Sequence, residues 1–182
     1  QEVTSACGAS IPLLIMTSEK NDCETREFFE KHDCFGYPRE DIFFFRQAMA
    51  PCMDLEGKIL LEDKGRIALS PNGNGGWYSS LVKAGLAEAM AARGVEWYNV
   101  FAVDNVLQRI CDPVFLGATI ASGKASGAKV VRKAEPHERV GVLCLEDGLP
   151  SVVEYYELSE EMANLRGADG NLVYSFGVIL NY

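Results

Sequence analysis

Histidine is almost missing: only His32 and His137 occur among 182 residues, both in polar surroundings. A histidine triad or a histidine-built metal centre has little material to work with. None of the six cysteines (Cys7, Cys23, Cys34, Cys52, Cys111, Cys144) falls in a CxxC or beside a histidine at zinc spacing. Such scatter predicts free thiols in a reducing cytoplasm. Basic charge is in deficit: 17 Lys and Arg against 26 Asp and Glu give a net charge of −9. That argues against a general nucleic-acid or anionic-membrane binder, while leaving room for one anionic ligand in a local pocket. No apolar run approaches the length of a membrane span, and the first residues do not read as a signal peptide. Neither GxxxxGK[ST] nor GxGxxG occurs, so the two common phosphate-cradling loops are excluded.

What remains is an ordinary globular composition, 48 % hydrophobic and 24 % charged, with length enough for one domain and a sizeable core. Residues 11–17 (IPLLIMT) read as a buried strand, and Asn21 or Asp22 can cap a helix running to about His32. Leu13–Ile15 and Phe28–Phe29 are expected to meet in the core. Residues 41–45 (DIFFF) form a second buried strand, so strand, helix and strand make a parallel βαβ unit. Short strands over 58–61 and 66–69 suggest a hairpin. Residues 79–93 read as one helix with Val82, Leu86 and Met90 on one stripe and Gly94 as its stop. Residues 97–103 (WYNVFAV) carry the strongest strand signal in the chain. Asp112 and Pro113 suit the start of a helix through Ser122. The last third reads as a sheet insertion: a strand over 128–132, a hairpin of 140–145 and 151–156 about Asp147-Gly148, a short helix from Ser159, and a final strand over 172–180. We therefore expect one mixed α/β domain.

The stretch around which the chain is organised is Asn72-Gly73-Asn74-Gly75-Gly76, followed by Trp77-Tyr78. Glycine reaches positive φ freely and lets another molecule approach the backbone. An ordinary turn into the next helix has the same composition. In open α/β sheets ligands bind at the carboxyl ends of strands, and here those ends carry Thr17-Ser18, Gln47, the glycine loop and Asp104-Asn105, enough to line one cleft. Asp104 suits a divalent metal or a sugar hydroxyl, or else a helix N-cap. The amide of Gln47 suits a base edge or a backbone partner. Glu154, in the apolar run SVVEYYE, either needs partners inside or points outward as a routine surface acid.

The segments IPLLIMTSE, FFFRQ, GKILLEDKGRIALSPNGNGGWY, VDN, DPVFLG, GAKVVRK, ERVGVLC and VVEYYEL occur in this order. Together the chain resembles the eukaryotic-type UDP-N-acetylhexosamine pyrophosphorylases, within the wider UDP-sugar pyrophosphorylase family, from end to end. The resemblance implies a nucleotide-diphospho-sugar transferase fold (Rossmann-like, GT-A type), a mixed sheet with helices on both faces and β-hairpin insertions. It implies a magnesium-dependent reaction of UTP with N-acetylglucosamine 1-phosphate. Carried over, Gln47 and the Gly73 backbone read the uracil, Asn74 touches the sugar, and Asp104 lies by the phosphates and metal. Glu154 and Tyr155 grip sugar hydroxyls, with Gly141 letting the sugar lie close. The family's glycine-rich triphosphate loop is expected before Gln1 and further lysines after Tyr182, making residues 1–182 the central part of a catalytic domain, inactive by itself and prone to self-association. Val178 follows Gly177 where the family has asparagine, which bears on the choice of sugar. Glucose 1-phosphate or several sugar 1-phosphates are the alternative substrates, and a non-catalytic nucleotide-sugar-binding segment is the alternative class.

Overall fold

In the computed structural model, which describes residues 2–178 and only the backbone of Val178, the chain divides into two compact units, Gln1–Glu96 and Trp97–Tyr182. The first unit opens with helix α1 (Glu2–Cys7), which buries nothing. Strand β1 (Leu13–Thr17), helix α2 (Asp22–Lys31) and strand β2 (Ile42–Arg46) then form the expected βαβ unit, and β1 pairs with β2 in parallel from Leu13↔Ile42 to Thr17↔Arg46. The face of β2 toward α2 is aromatic: the Phe29 ring meets Phe44 and Phe35 edge-on at 5.3 and 5.4 Å. Each such contact contributes roughly 0.5–1.5 kcal/mol beyond its buried area. Phe28 does not join this core as expected; it is 53 % exposed, because a ten-residue helix turns only one stripe inward.

Strand β3 (Met49–Pro51) leaves β2 and returns through β4 (Leu61–Asp63), β5 (Arg66–Ile67) and β6 (Leu69–Pro71). The hairpin expected here exists, but its strands are shorter and displaced: β4 pairs with β5, and β6 leaves to pair with β3. The single helix expected over 79–93 is two, α3 (Trp77–Lys83) and α4 (Leu86–Ala92), broken at Gly85, whose φ of 71° a continuing helix cannot accept. The break resets the stripe. Leu81 and Met90 are fully buried and Val82 is half exposed. At the end of α4, Arg93 returns to the start of β2, pairing with the buried Asp41, which also accepts from Ser10.

The second unit begins with a correction. Apart from one bridge residue at Phe101, residues 97–103 belong to no strand, and Val103 already lies in a turn. Apolar, β-branched texture makes a strand only where another backbone completes a ladder. Helix α5 (Pro113–Ala121) is capped as expected: Asp112 accepts from the Val114 N–H at 3.1 Å and from Lys129 Nζ at 2.9 Å. The Lys129 ammonium beside Asp112 holds that carboxyl below its ordinary range. Strand β7 (Val130–Arg132), the hairpin β8 (Val142–Glu146) with β9 (Leu149–Val153), helix α6 (Glu160–Asn164) and strand β10 (Phe176–Val178) complete the unit. The sheet order is β7-β10-β8-β9. The Asp147-Gly148 turn takes φ of 50° and 80°, as a two-residue hairpin requires. A side chain at Gly177 would meet Val140 at 2.9 Å and the Val131 carbonyl at 3.1 Å, so glycine alone fits where β10 crosses. The final strand expected over 172–180 is realised as β10, and residues 179–182 lie outside the described residues.

Candidate functional site

In the first unit the carboxyl ends of β1 and β2 meet the glycine loop. The Gln47 N–H donates to the Thr17 carbonyl at 2.8 Å, and the Asn72 N–H donates to the Ala48 carbonyl at 3.0 Å. Gln47 and Gly73 each stand two residues beyond the Met49↔Pro71 pair at which the β3–β6 register begins. Gly73 has φ 88° and ψ 169°, which a side chain resists, and it leads into a 3-10 turn, Asn74–Gly76, directly ahead of α3. Neither that turn nor α3 has a side-chain cap. Asn74 is exposed in the turn.

The side chain of Gln47 gives the site its chemical character. Its Oε1 is buried and has no hydrogen-bond partner among the described residues. An orphaned amide acceptor costs about 1–3 kcal/mol.

The first unit also holds a cluster that the sequence reading touched only as a possible helix cap. Asp22, 3 % exposed, accepts from Thr17 Oγ1 at 2.6 Å, Arg46 Nη2 at 2.8 Å and Arg26 Nε at 3.0 Å. The Thr17 hydroxyl, with Arg46 and Arg26 behind it, holds the carboxyl down to about 2 against the opposing effect of burial. Ser18 is fixed beside it, donating from N and Oγ to Asn21 Oδ1 at 2.7 and 3.0 Å. The signal was present: threonine ending an apolar strand, an acid at the next helix start, and arginine four residues on.

In the second unit Gly141 and Glu154 are brought together. A Cβ on Gly141 would stand 3.3 Å from Glu154 Oε2 and 3.0 Å from Val152 Cγ1. Glu154 is not inside a strand as expected; it follows the last residue of β9, half-buried, in a turn whose Glu157 N–H donates to its carbonyl at 2.9 Å. Its Oε2 lies toward the bare α-carbon of Gly141. Tyr155 is 42 % exposed and packs edge-on against Tyr156 at 5.2 Å. Asp104 stands in an exposed turn. No helix starts there, so the capping alternative is not realised. Its side chain makes no hydrogen bond or ion pair among the described residues. Nor, among these, do three or more His, Cys, Asp or Glu converge on a metal-sized point. All six cysteines are free, and no described helix is long and apolar enough to cross a membrane.

Comparison with known proteins agrees with this picture. The chain is 47 % identical over 173 residues to UDP-N-acetylhexosamine pyrophosphorylase-like protein 1 of Mus musculus, covering 95 % of this chain and 34 % of the relative. It is 38 % identical over 183 residues to the UDP-N-acetylglucosamine pyrophosphorylase of Saccharomyces cerevisiae, covering 100 % of this chain and 38 % of the relative. The crystal structure of the uridine diphosphate N-acetylglucosamine pyrophosphorylase from Trypanosoma brucei, in complex with inhibitor, matches with a TM-score of 0.84 at 33 % identity, over 100 % of this chain and 38 % of that one. The chain therefore spans about a third of the length of the curated relatives it matches. The family described as UTP-glucose-1-phosphate uridylyltransferase matches residues 1–175, and the chain belongs to it.

Proposed function

We propose that this chain is the central catalytic part of a uridylyltransferase that makes a UDP-sugar and pyrophosphate from UTP and a sugar 1-phosphate, with N-acetylglucosamine 1-phosphate as the sugar substrate. The observation that carries the reading is the buried, unpartnered Oε1 of Gln47 beside the Gly73 loop. The imide N–H of uracil answers that acceptor, and the Gly73 backbone takes the other ring edge. For the sugar, the first unit offers Asn74 in the turn after Gly73, and the second offers the Glu154 carboxylate packed against the bare α-carbon of Gly141, with Tyr155 next to it. Within this proposal the fold is the nucleotide-diphospho-sugar transferase arrangement of GT-A type, and the setting is the cytoplasm.

The chemistry asks for position more than for a nucleophilic side chain. A phosphate oxygen of the sugar 1-phosphate attacks the α-phosphorus of UTP in line; the new O–P bond forms as the bond to the β-phosphate bridge breaks, and pyrophosphate leaves with that electron pair. Holding both reactants in line supplies most of the rate, and neutralising the developing charge the rest. Magnesium fits Asp104 by donor chemistry, since a lone hard carboxylate serves as one ligand of an ion that is otherwise held by substrate phosphates. Asp104 would hold such an ion, and what it would supply there is neutralisation of the phosphates. Gln47 and Gly73 orient the nucleotide, and Glu154 orients the sugar hydroxyls. The resemblance of the Asn-Gly-Asn-Gly-Gly loop to that of the N-acetylhexosamine branch favours this sugar over glucose 1-phosphate.

The test is Gln47→Leu in the whole gene product. UTP affinity should fall about tenfold, one hydrogen bond's worth, while thermal stability without ligand holds or rises because an orphaned polar atom has gone. Unchanged UTP affinity removes Gln47 from base recognition. Competition among N-acetylglucosamine, N-acetylgalactosamine and glucose 1-phosphates then fixes the sugar.

A further inference from the structure

Two guanidinium groups in the first unit share one carboxylate oxygen. Arg26 Nε and Arg46 Nη2 both donate to Asp22 Oδ2, at 3.0 and 2.8 Å, while Oδ1 is taken by Thr17. Their donor nitrogens therefore stand no more than about 6 Å apart. One acid holds two cations and neutralises one. Both side chains remain about half exposed. They border an open depression of about 590 Å3, which Cys23, Phe44, Ser80 and Lys83 also line. Lys83 has no ion pair or hydrogen bond among the described residues, so it adds a third, unneutralised charge. Ser80, 4 % exposed, turns no side-chain hydrogen bond elsewhere among those residues. Glu19 acts on Arg46 only at longer range and does not line the depression. In a chain of net charge −9 this is a local excess of positive charge held rigid by a buried acid.

We propose that this depression binds a multivalent oxyanion, a phosphoryl or pyrophosphoryl group, at a site separate from the one at Gln47. A guanidinium offers paired donors that match two phosphate oxygens, and two of them fixed by Asp22 lose little freedom on binding. A monovalent carboxylate would leave part of the charge unanswered, whereas a dianion answers Arg26, Arg46 and Lys83 together. Successive side chains of a strand face opposite ways. Arg46 accordingly turns to the α2 face, where it meets Asp22, and Gln47 does not line the depression. The site thus stands or falls independently of the proposed uracil contact.

Cys23, exposed and on the wall of the depression, is a built-in reporter. Alkylation of each cysteine is followed by peptide mass spectrometry, with Cys7 as the exposed control outside the depression. At low salt, iodoacetate should be favoured over iodoacetamide at Cys23 several-fold more than at Cys7. Millimolar pyrophosphate should slow the Cys23 reaction at matched ionic strength and leave Cys7 alone. Lys83→Gln, which breaks no ion pair and so spares the fold, should weaken that protection about tenfold, as should Arg46→Gln. Gln47→Leu should leave it unchanged. Absence of protection by pyrophosphate up to about 10 mM, which corresponds to less than about 3 kcal/mol of binding, overturns the proposal. So does protection that survives Lys83→Gln and Arg46→Gln, or that disappears with Gln47→Leu.

Discussion

Replacing Asp22 by asparagine should cost stability at neutral pH, and that loss should fade in acid. The carboxyl is held at about 2 against an ordinary 3.8, the Thr17 hydroxyl being the largest cause and the two arginines the next. A shift of that size corresponds to about 2.5 kcal/mol. Arg46 and Arg26 are 53 % and 45 % exposed, so water and salt screen their share, and about 1–2 kcal/mol is the realistic figure. The sign follows from the depressed value. Above the unfolded-state pKa, near 4, the ionised group contributes its full stabilisation; as pH falls through about 2 the folded state takes up the proton and the contribution is lost. Urea unfolding of the natural chain and of Asp22→Asn, each from neutral pH downward, should show a gap of about 1–2 kcal/mol at pH 7 that shrinks below about pH 4. Thr17→Val, which removes the largest single cause, should shift the closing of the gap to higher pH. A gap that stays constant across the acid range, or widens as pH falls, refutes the assignment of a charged, hydrogen-bonded Asp22.

In the whole gene product, Glu154→Gln should raise KM for the sugar 1-phosphate and barely move that for UTP; a shift in the UTP constant alone would remove Glu154 from the sugar site. Gly141→Ala should do the same, because its Cβ would stand 3.3 Å from Glu154 Oε2 and displace the carboxylate, and steady-state kinetics on both substrates checks it. Asp104→Ala should cut turnover about 100-fold, on the order of 3 kcal/mol in the transition state, with no change in Tm, since the side chain is exposed and makes no bond among the described residues; near-normal turnover would take Asp104 out of the chemistry. The 182-residue chain should self-associate: it exposes 12842 Å2, about 2,400 Å2 more than even two separate folded units of half its mass. Light scattering that shows a stable monomer at micromolar concentration contradicts this.

The parts of this chain that could be read from sequence are those whose cause is local. The Asp112-Pro113 helix start, the Asp147-Gly148 turn and the Ser159 cap each follow from a side chain acting on backbone within a few residues, and each stands where it was expected. Failures occur where the cause is distant. Residues 97–103 have every local property of a strand, but a ladder is a property of two segments, and the sequence of one says nothing of its partner. Periodicity carried one helix through Gly85 because a glycine inside an apolar stripe does not reveal its φ. The candidate site divides in the same way. The Gly73 loop was legible because only glycine suits such backbone, and Gln47 because it ends an apolar strand. What neither reveals alone is that β3 pairs with β6, whose first pair stands two residues from each of them. Nor does the sequence state that the Gln47 oxygen is left without a partner, since that is a fact about everything around it. The Asp22 cluster is the sharpest instance. Thr17, Asp22, Arg26 and Arg46 look routine one by one. Only the parallel register that brings Thr17 beside Arg46 makes them a single charged unit, and so gives the face away from Gln47 a chemistry of its own.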